Sequence, residues 1–290
     1  MKLGLGTAQF GLDYGISNTR GRTPAAEVCA ILDAAMSAGV TVLDTAPAYG
    51  ASEEALGVAR AAQRFRIVTK TPVYGGHPGA DAPDELERSL LRSLDRFGAE
   101  RIHGLLVHHA SDALSDTGGP LIERARRLQE QGLVGKIGVS VYAGPEARAA
   151  VDRFGVDIVQ LPVSVYDQRA LMDGTLDYLK QAGVEVHARS VFLQGLLLMP
   201  CESLPASFER IRAHHAAYVA RVAEMGITAA RAALGFVIGL PQVDIALAGV
   251  EDVAQFQELA ASAEPLAAAE FESFAVDDPA VVDPSRWVTT

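Results

Sequence analysis

Two spacings of apolar residues alternate along the chain. Short runs of largely β-branched residues, at 2–6, 40–44, 65–70, 102–108, 136–140, 157–161, 184–188 and 244–248, predict buried strands. Between them, apolar positions recur every three to four residues and predict helices. The first of these has Thr23 as N-cap, Pro24 at its first position and Gly39 at its end, with Val28, Ile31, Leu32 and Ala35 on its buried side. Ser52 is expected to cap a short helix reaching Ala61, and residues 84–97 form an amphipathic helix with Leu86, Leu90, Leu91 and Leu94 on one side. Further helices are predicted at 121–130, 145–154, 169–182, about 205–225, 228–240 and 253–262.

Strand–helix alternation implies a parallel sheet, because each crossover must cover one face of it. Eight such units in 290 residues fit a closed (β/α)8 TIM barrel better than an open sheet. A doubly wound nucleotide-binding fold is the alternative, suggested by Gly4, Gly6 and Gly11 after the first strand. Their spacing differs from the dinucleotide fingerprint, and a long Gly/Asn/Arg loop stands where the helix should begin.

Three of the apolar strands stop at ionisable residues: Asp44, Lys70 and His108. Packing alone does not require this, since buried charges are costly unless paired. Tyr49 follows Asp44 across a short turn ending in Gly50, so Asp44, Tyr49, Lys70 and His108 are read as one site at the carboxyl ends of the strands. His109 is adjacent, and neighbours on a strand point to opposite faces, so only one of the two histidines can face the barrel mouth. His214 and His215 lie in a charged helical stretch and are expected to face solvent, with no metal-ligand constellation around them.

Composition narrows the partners. A net charge of −11 without long basic clusters argues against nucleic acid and anionic membranes. No apolar run approaches the roughly 20 residues that span a bilayer, and the amino terminus lacks a signal-peptide pattern. Two cysteines, Cys29 and Cys201, make neither a disulfide framework nor a zinc site, which suits a reducing, cytoplasmic setting. Cys29 reads as a core residue of its helix.

In order along the chain, Leu-Gly-Leu-Gly-Thr at the start, Leu-Asp-Thr-Ala-x-x-Tyr-Gly around Asp44 and Tyr49, Val-Thr-Lys70, Leu-Leu-Val-His108, Ile-Gly-Val-Ser140, Val-Gln160, and Ala-Gly249 with Gln255 and Glu258 resemble the aldo-keto reductase superfamily. The resemblance covers essentially the whole chain. It implies a single barrel domain over 1–290, reducing an aldehyde, ketone or sugar-like carbonyl by hydride transfer from a nicotinamide cofactor laid across the top, and it selects His108 over His109. A carbonyl that accepts hydride builds negative charge on oxygen and needs a proton; a tyrosine is a sluggish donor near neutral pH, and a neighbouring ammonium makes donation easier. The expected roles are then Tyr49 as acid, Lys70 as the cation that tunes it, Asp44 as its anchor and His108 as the hydrogen-bond donor orienting the carbonyl. The resemblance also implies that Gly6, Thr7, Ser140, Gln160, Arg189, Ser190, Phe192, Gln194, Gly195, Gly249, Gln255 and Glu258 hold that cofactor. Ser140 and Gln160 would take the carboxamide, and residues 190–195 would wrap the pyrophosphate.

The chain departs from the family pattern in several places. Val141 stands where an asparagine is usual, and Arg189 where an aromatic ring commonly stacks on the nicotinamide; a planar guanidinium can also stack. The leading hairpin that caps the barrel floor in many relatives is not seen before the first strand. Residues 277–290 form a tail over or beside the barrel, from which Trp287 is expected either to line the substrate pocket or to pack elsewhere. Glu251 and Asp252 occupy the place where a basic residue commonly pairs with the 2′-phosphate. NADP(H) is therefore only slightly ahead of NAD(H), with Arg210 or Arg212 as the source of the missing charge. A monomer or small homo-oligomer is expected. A second class stays open beside the enzyme: a cofactor-binding regulatory or interaction subunit with little turnover.

Overall fold

The computed structural model describes residues 1–16, 18 and 20–287. Eight parallel strands pair in sequence order and close on themselves: β1 (Leu3–Gly6), β2 (Val42–Asp44), β3 (Arg66–Lys70), β4 (Ile102–Val107), β5 (Val134–Ser140), β6 (Ile158–Pro162), β7 (Glu185–Arg189) and β8 (Ile245–Ala248), which pairs back with β1. This is the (β/α)8 barrel, and the open doubly wound sheet is excluded by the β1–β8 pairing. Each strand lies within two residues of its predicted span.

Register decides which side chains point inward. Val68 pairs with Gly104 and Lys70 with Leu106, so alternate residues Gly104, Leu106 and His108 continue one inward face. The barrel centre is filled by Val42, Val68, Leu106, Ile158, Ile245 and Leu247, all at most 5% exposed. Gly138 makes room for them, since a Cβ there would lie 2.5 Å from Leu106 Cδ2. Toward the amino-terminal end of the interior, Glu185 accepts a hydrogen bond from His187 Nε2 (2.8 Å) and pairs with Lys136. Burial pushes the Glu185 carboxyl up, but His103, His187 and Lys136 outweigh that and hold it well below the usual range.

Several helices begin or break differently from the sequence pattern. The first long one is Ala25–Ser37, with Pro24 rather than Thr23 at its N-cap. Thr23 is buried, and its backbone N–H donates to Gln9 O (2.9 Å) instead, tying down the β1 loop. Ser52 lies inside the helix Ser52–Val58. Its hydroxyl donates to Thr7 O (2.8 Å) and meets Thr45 Oγ1 (3.1 Å), joining the loops after β1 and β2 rather than capping. In the helix Ala82–Phe97, Leu91 is 48% exposed and leaves the apolar stripe to Leu86, Leu90, Leu94 and Phe97. The span 169–182 is two helices, Arg169–Met172 and Thr175–Gln181, broken at Gly174, whose φ of 73° a continuous helix cannot hold. Cys29 is partly exposed rather than core. Among the described residues no single helix is long and apolar enough to cross a membrane.

Candidate active site

The carboxyl ends of the strands open into one cleft of about 760 Å³. Asp44, Lys70, Ser140 and Arg189 are the last residues of β2, β3, β5 and β7, where a parallel barrel delivers side chains to its mouth. Lys70, 2% exposed, donates to both carboxylate oxygens of Asp44 (2.8 and 2.7 Å) and to Thr45 O (2.9 Å). Burial presses the ammonium's pKa down, but Asp44 and Tyr49 outweigh burial and raise it, so Lys70 is charged. Gln160 Nε2 donates to Asp44 Oδ1 (2.7 Å), which fixes the carboxylate from the β6 side.

Tyr49 is placed by its backbone. Its N–H donates to Ala46 O (3.0 Å) and its carbonyl accepts from Ser52 N (3.1 Å). Gly11 packs so closely against that carbonyl that a Cβ would sit 1.8 Å from it. Gly50, at φ 55°, turns the chain away at the same contact. The ring that results lies under the Lys70 ammonium, 5.0 Å from Nζ to the centroid, and edge-on to His108, 6.0 Å between centroids.

His108 is half-buried, and its Nδ1 is buried without a partner among the described residues. Burial first, then the charges of Lys70 and Arg189 and the neighbouring His109, push the imidazole down to about 3. It is neutral at physiological pH and able to donate from one nitrogen only. The ring is expected to stay neutral from pH 8 down to about pH 5 in a histidine NMR titration; a midpoint near the ordinary 6.5 would contradict the packing described here. Because the folded-state value is depressed, the stability tied to the neutral ring is complete above about pH 6.5 and is lost as pH falls toward 3.

The cofactor residues implied by the resemblance line the same cleft: Gly6, Thr7, Ser140, Gln160, Arg189, Ser190, Phe192, Gln194, Gly195, Gly249, Gln255 and Glu258. Arg189 does not hang free. Nη2 donates to Val141 O (3.0 Å), Nη1 donates to Ser190 Oγ (3.2 Å), and the guanidinium lies over the Tyr142 ring at 4.4 Å. The loop that follows is bent into unusual backbone, with Ser190, Leu193 and Gln194 at φ 58°, 47° and 53°. Left-handed non-glycine residues are uncommon and cluster where a loop is held for a purpose. Trp287 does not line the cleft. It lies edge-on to Phe208 at 4.9 Å, with Nε1 donating to Val281 O (3.2 Å).

Other residues of the cleft carried no sequence signal. Tyr14 and Tyr142 wall it, and Gln9 lies against Gly249. His215 is fully buried, not solvent-facing. Its Nε2 donates to Met199 O (2.8 Å), which leaves Nδ1 to accept from Tyr166 Oη (2.8 Å), and Met199 lines the cleft. His214 Nε2 donates to Phe274 O (3.1 Å). Arg210 pairs with Asp278 (3.3 Å), and Arg212 with Glu209 (2.7 Å) and Cys201 O; neither arginine lines the cleft. The cation beside Asp252 is Arg20, from the loop after β1.

A family model for the aldo/keto reductase family matches residues 2–275. A D-threo-aldose 1-dehydrogenase from a Pseudomonas species is 28% identical over 229 residues, 66% of this chain and 68% of that protein. Among solved structures, the holo form of an aldo-keto reductase from Bacillus halodurans matches with a TM-score of 0.79 at 19% identity, over 99% of this chain and 95% of that one. A protein from Pseudomonas aeruginosa classed with the aldo-keto reductases matches at 0.66 and 24% identity, over 90% and 89%.

Proposed function

The chain belongs to the aldo/keto reductase family, NAD(P)H-dependent oxidoreductases acting on carbonyl compounds, and we propose that Tyr49, Lys70, Asp44 and His108 are the groups with which it reduces a sugar-like or other small polar carbonyl. The observation that carries this is the convergence of the four at one end of the barrel: a buried ammonium held by Asp44, a phenol ring beneath it and a neutral imidazole edge-on to that ring. Tyr49 gives its proton to the carbonyl oxygen as charge builds there. Lys70 favours the phenolate left behind, and Asp44 keeps Lys70 charged and oriented. His108, neutral, donates a hydrogen bond to the same oxygen without competing as an acid.

The nicotinamide, when bound, supplies the hydride or takes it back. The residues present fit such a group. The cleft is toward the large end of the usual range of about 300–1,000 Å³ for ligand sites, which leaves room for more than a small carbonyl. Its wall offers the Ser140 hydroxyl and the Gln160 amide as carboxamide partners, and the tightly bent stretch 190–195 as a wrap for the pyrophosphate. The relative that acts on D-threo-aldoses makes aldoses the first substrates to try, in the oxidising direction as well as the reducing one. Nicotinamide absorbance followed with a panel of aldoses and aldehydes is expected to change with at least one of them. Dinucleotide binding with no turnover on any would favour a regulatory subunit.

The dinucleotide's 2′ position is proposed to face Glu251 and Asp252. Two carboxylates repel a phosphate and can accept hydrogen bonds from free ribose hydroxyls. Arg20 is the cation that meets Asp252, whereas Arg210 and Arg212 are engaged elsewhere. NADH is therefore expected to bind measurably, and Arg20→Ala to weaken NADPH about twofold to fivefold relative to NADH, as loss of one exposed, partly screened charge pair does. Fluorescence titration of both dinucleotides checks this. If an Arg210→Ala/Arg212→Ala variant loses NADPH while Arg20→Ala does not, the assignment of the phosphate to Arg20 is wrong.

A further inference from the structure

We propose that Arg189 is a redox-tuning residue, whose uncompensated positive charge at the reacting end of the cleft makes the site hold reduced nicotinamide more tightly than oxidised nicotinamide. Resting on the function proposed above, this adds a direction to it. The difference between the two forms is itself a charge: the oxidised ring is a cation and the reduced ring is neutral.

At the reacting end of the cleft, most other charges cancel. Lys70 is matched by Asp44 at 2.7 Å, and His108 is neutral. The partners of Arg189 are all uncharged: a backbone carbonyl, a serine hydroxyl and a phenol ring. Glu251 and Glu258 also line the cleft, but from the loop and the helix Val253–Ala261 that follow β8, and the charged groups acting on Glu251 are Arg20 and Asp252. Among the described residues at the reacting end, one guanidinium is left over.

Its reach is set by the register. Arg189 ends β7 opposite Pro162 of β6, and its Nη2 extends across to Val141, the residue after the end of β5. The guanidinium thus spans the mouth over the end of β6, beside Ser140 and Gln160, which are themselves in register and are the proposed carboxamide partners. It is also close enough to His108 to act on its protonation. A nicotinamide that delivers hydride to a carbonyl held by His108 and Tyr49 must lie in this same region. Three contacts keep the guanidinium from swinging out to solvent.

A unit charge several ångströms from the ring, partly screened by an open cleft, should separate the two forms by about tenfold in affinity. For a two-electron couple, tenfold corresponds to about 30 mV, in the sense that favours the reduced cofactor on the protein. Such a bias assists oxidation of an alcohol or hemiacetal and speeds departure of the oxidised dinucleotide.

The test is the ratio of dissociation constants for the oxidised and reduced forms of one dinucleotide, in wild type, Arg189→Met and Arg189→Lys. Reduced dinucleotide is followed by its own fluorescence and the oxidised form by competition. The ratio does not depend on what fraction of each preparation is folded. Wild type is expected to favour the reduced form, Arg189→Met to shrink that preference about tenfold, chiefly by tightening the oxidised form, and Arg189→Lys to keep most of it. An unchanged ratio in Arg189→Met, or equal weakening of both forms, would overturn the charge assignment and leave Arg189 as a contact residue. If neither form binds wild type, the proposed function fails first, and the two failures are told apart.

Discussion

Tyr49→Phe is expected to lower carbonyl reduction by at least about a hundredfold while dinucleotide binding and thermal stability stay near those of wild type. A positioned general acid typically contributes that much or more. The substitution is clean because nothing in the backbone that places the ring depends on the hydroxyl. The ring is set by the 46–49 turn, by the Ser52 contact and by the close approach of Gly11. Absorbance assays under single-turnover conditions with saturating cofactor isolate the chemical step. A phenylalanine variant within threefold of wild type would take Tyr49 out of the mechanism.

The second large effect is expected from Lys70→Met, in two separable parts. Asp44 and Lys70 are 5% and 2% exposed, and removing the ammonium leaves a buried carboxylate to which, among the described residues, only the Gln160 side chain donates. Breaking a buried pair by deleting one partner typically costs about 3–5 kcal/mol. Turnover should also fall by at least about a hundredfold, since the acid loses the cation that assists it. Asp44→Asn/Lys70→Met removes both charges at similar volume, so it should recover much of the melting temperature and none of the activity. Urea unfolding and turnover, measured on both variants, check the split. Activity returning along with stability would mean that the ion pair serves the fold alone.

The barrel was legible because its strands are nearly continuous apolar runs, as expected where both faces of a parallel sheet are covered. The quartet was legible because each polar member stands at or just beyond the end of such a run, where burial of a charge needs a reason. Other features depend on contacts that spacing does not encode. His215 lies in a polar stretch and looks solvated, yet it is buried because the chain returns over it, with Met199 and Tyr166 supplying its two hydrogen bonds. Ser190, Leu193 and Gln194 are not residue types that announce left-handed backbone, and only the tight loop demands it. Gln160 was assigned to the cofactor by resemblance and lines the cleft, but the bond from its amide to Asp44, a partner 116 residues away, is not one that spacing encodes. Arg20 escaped notice because its Asp252 partner is 232 residues distant.

Trp287 is the only tryptophan in the chain, and its place against Phe208 makes it an optical reporter on the tail. Emission excited at the red edge of protein absorbance comes from one indole, lodged beside the Val281 carbonyl rather than in the cleft. A red shift on adding denaturant would therefore record the carboxyl-terminal segment leaving Phe208. Far-ultraviolet circular dichroism follows the barrel's helices. Coincident transitions would mean that tail and barrel unfold as one cooperative unit, and an earlier fluorescence transition that the tail peels off a barrel still folded beneath it.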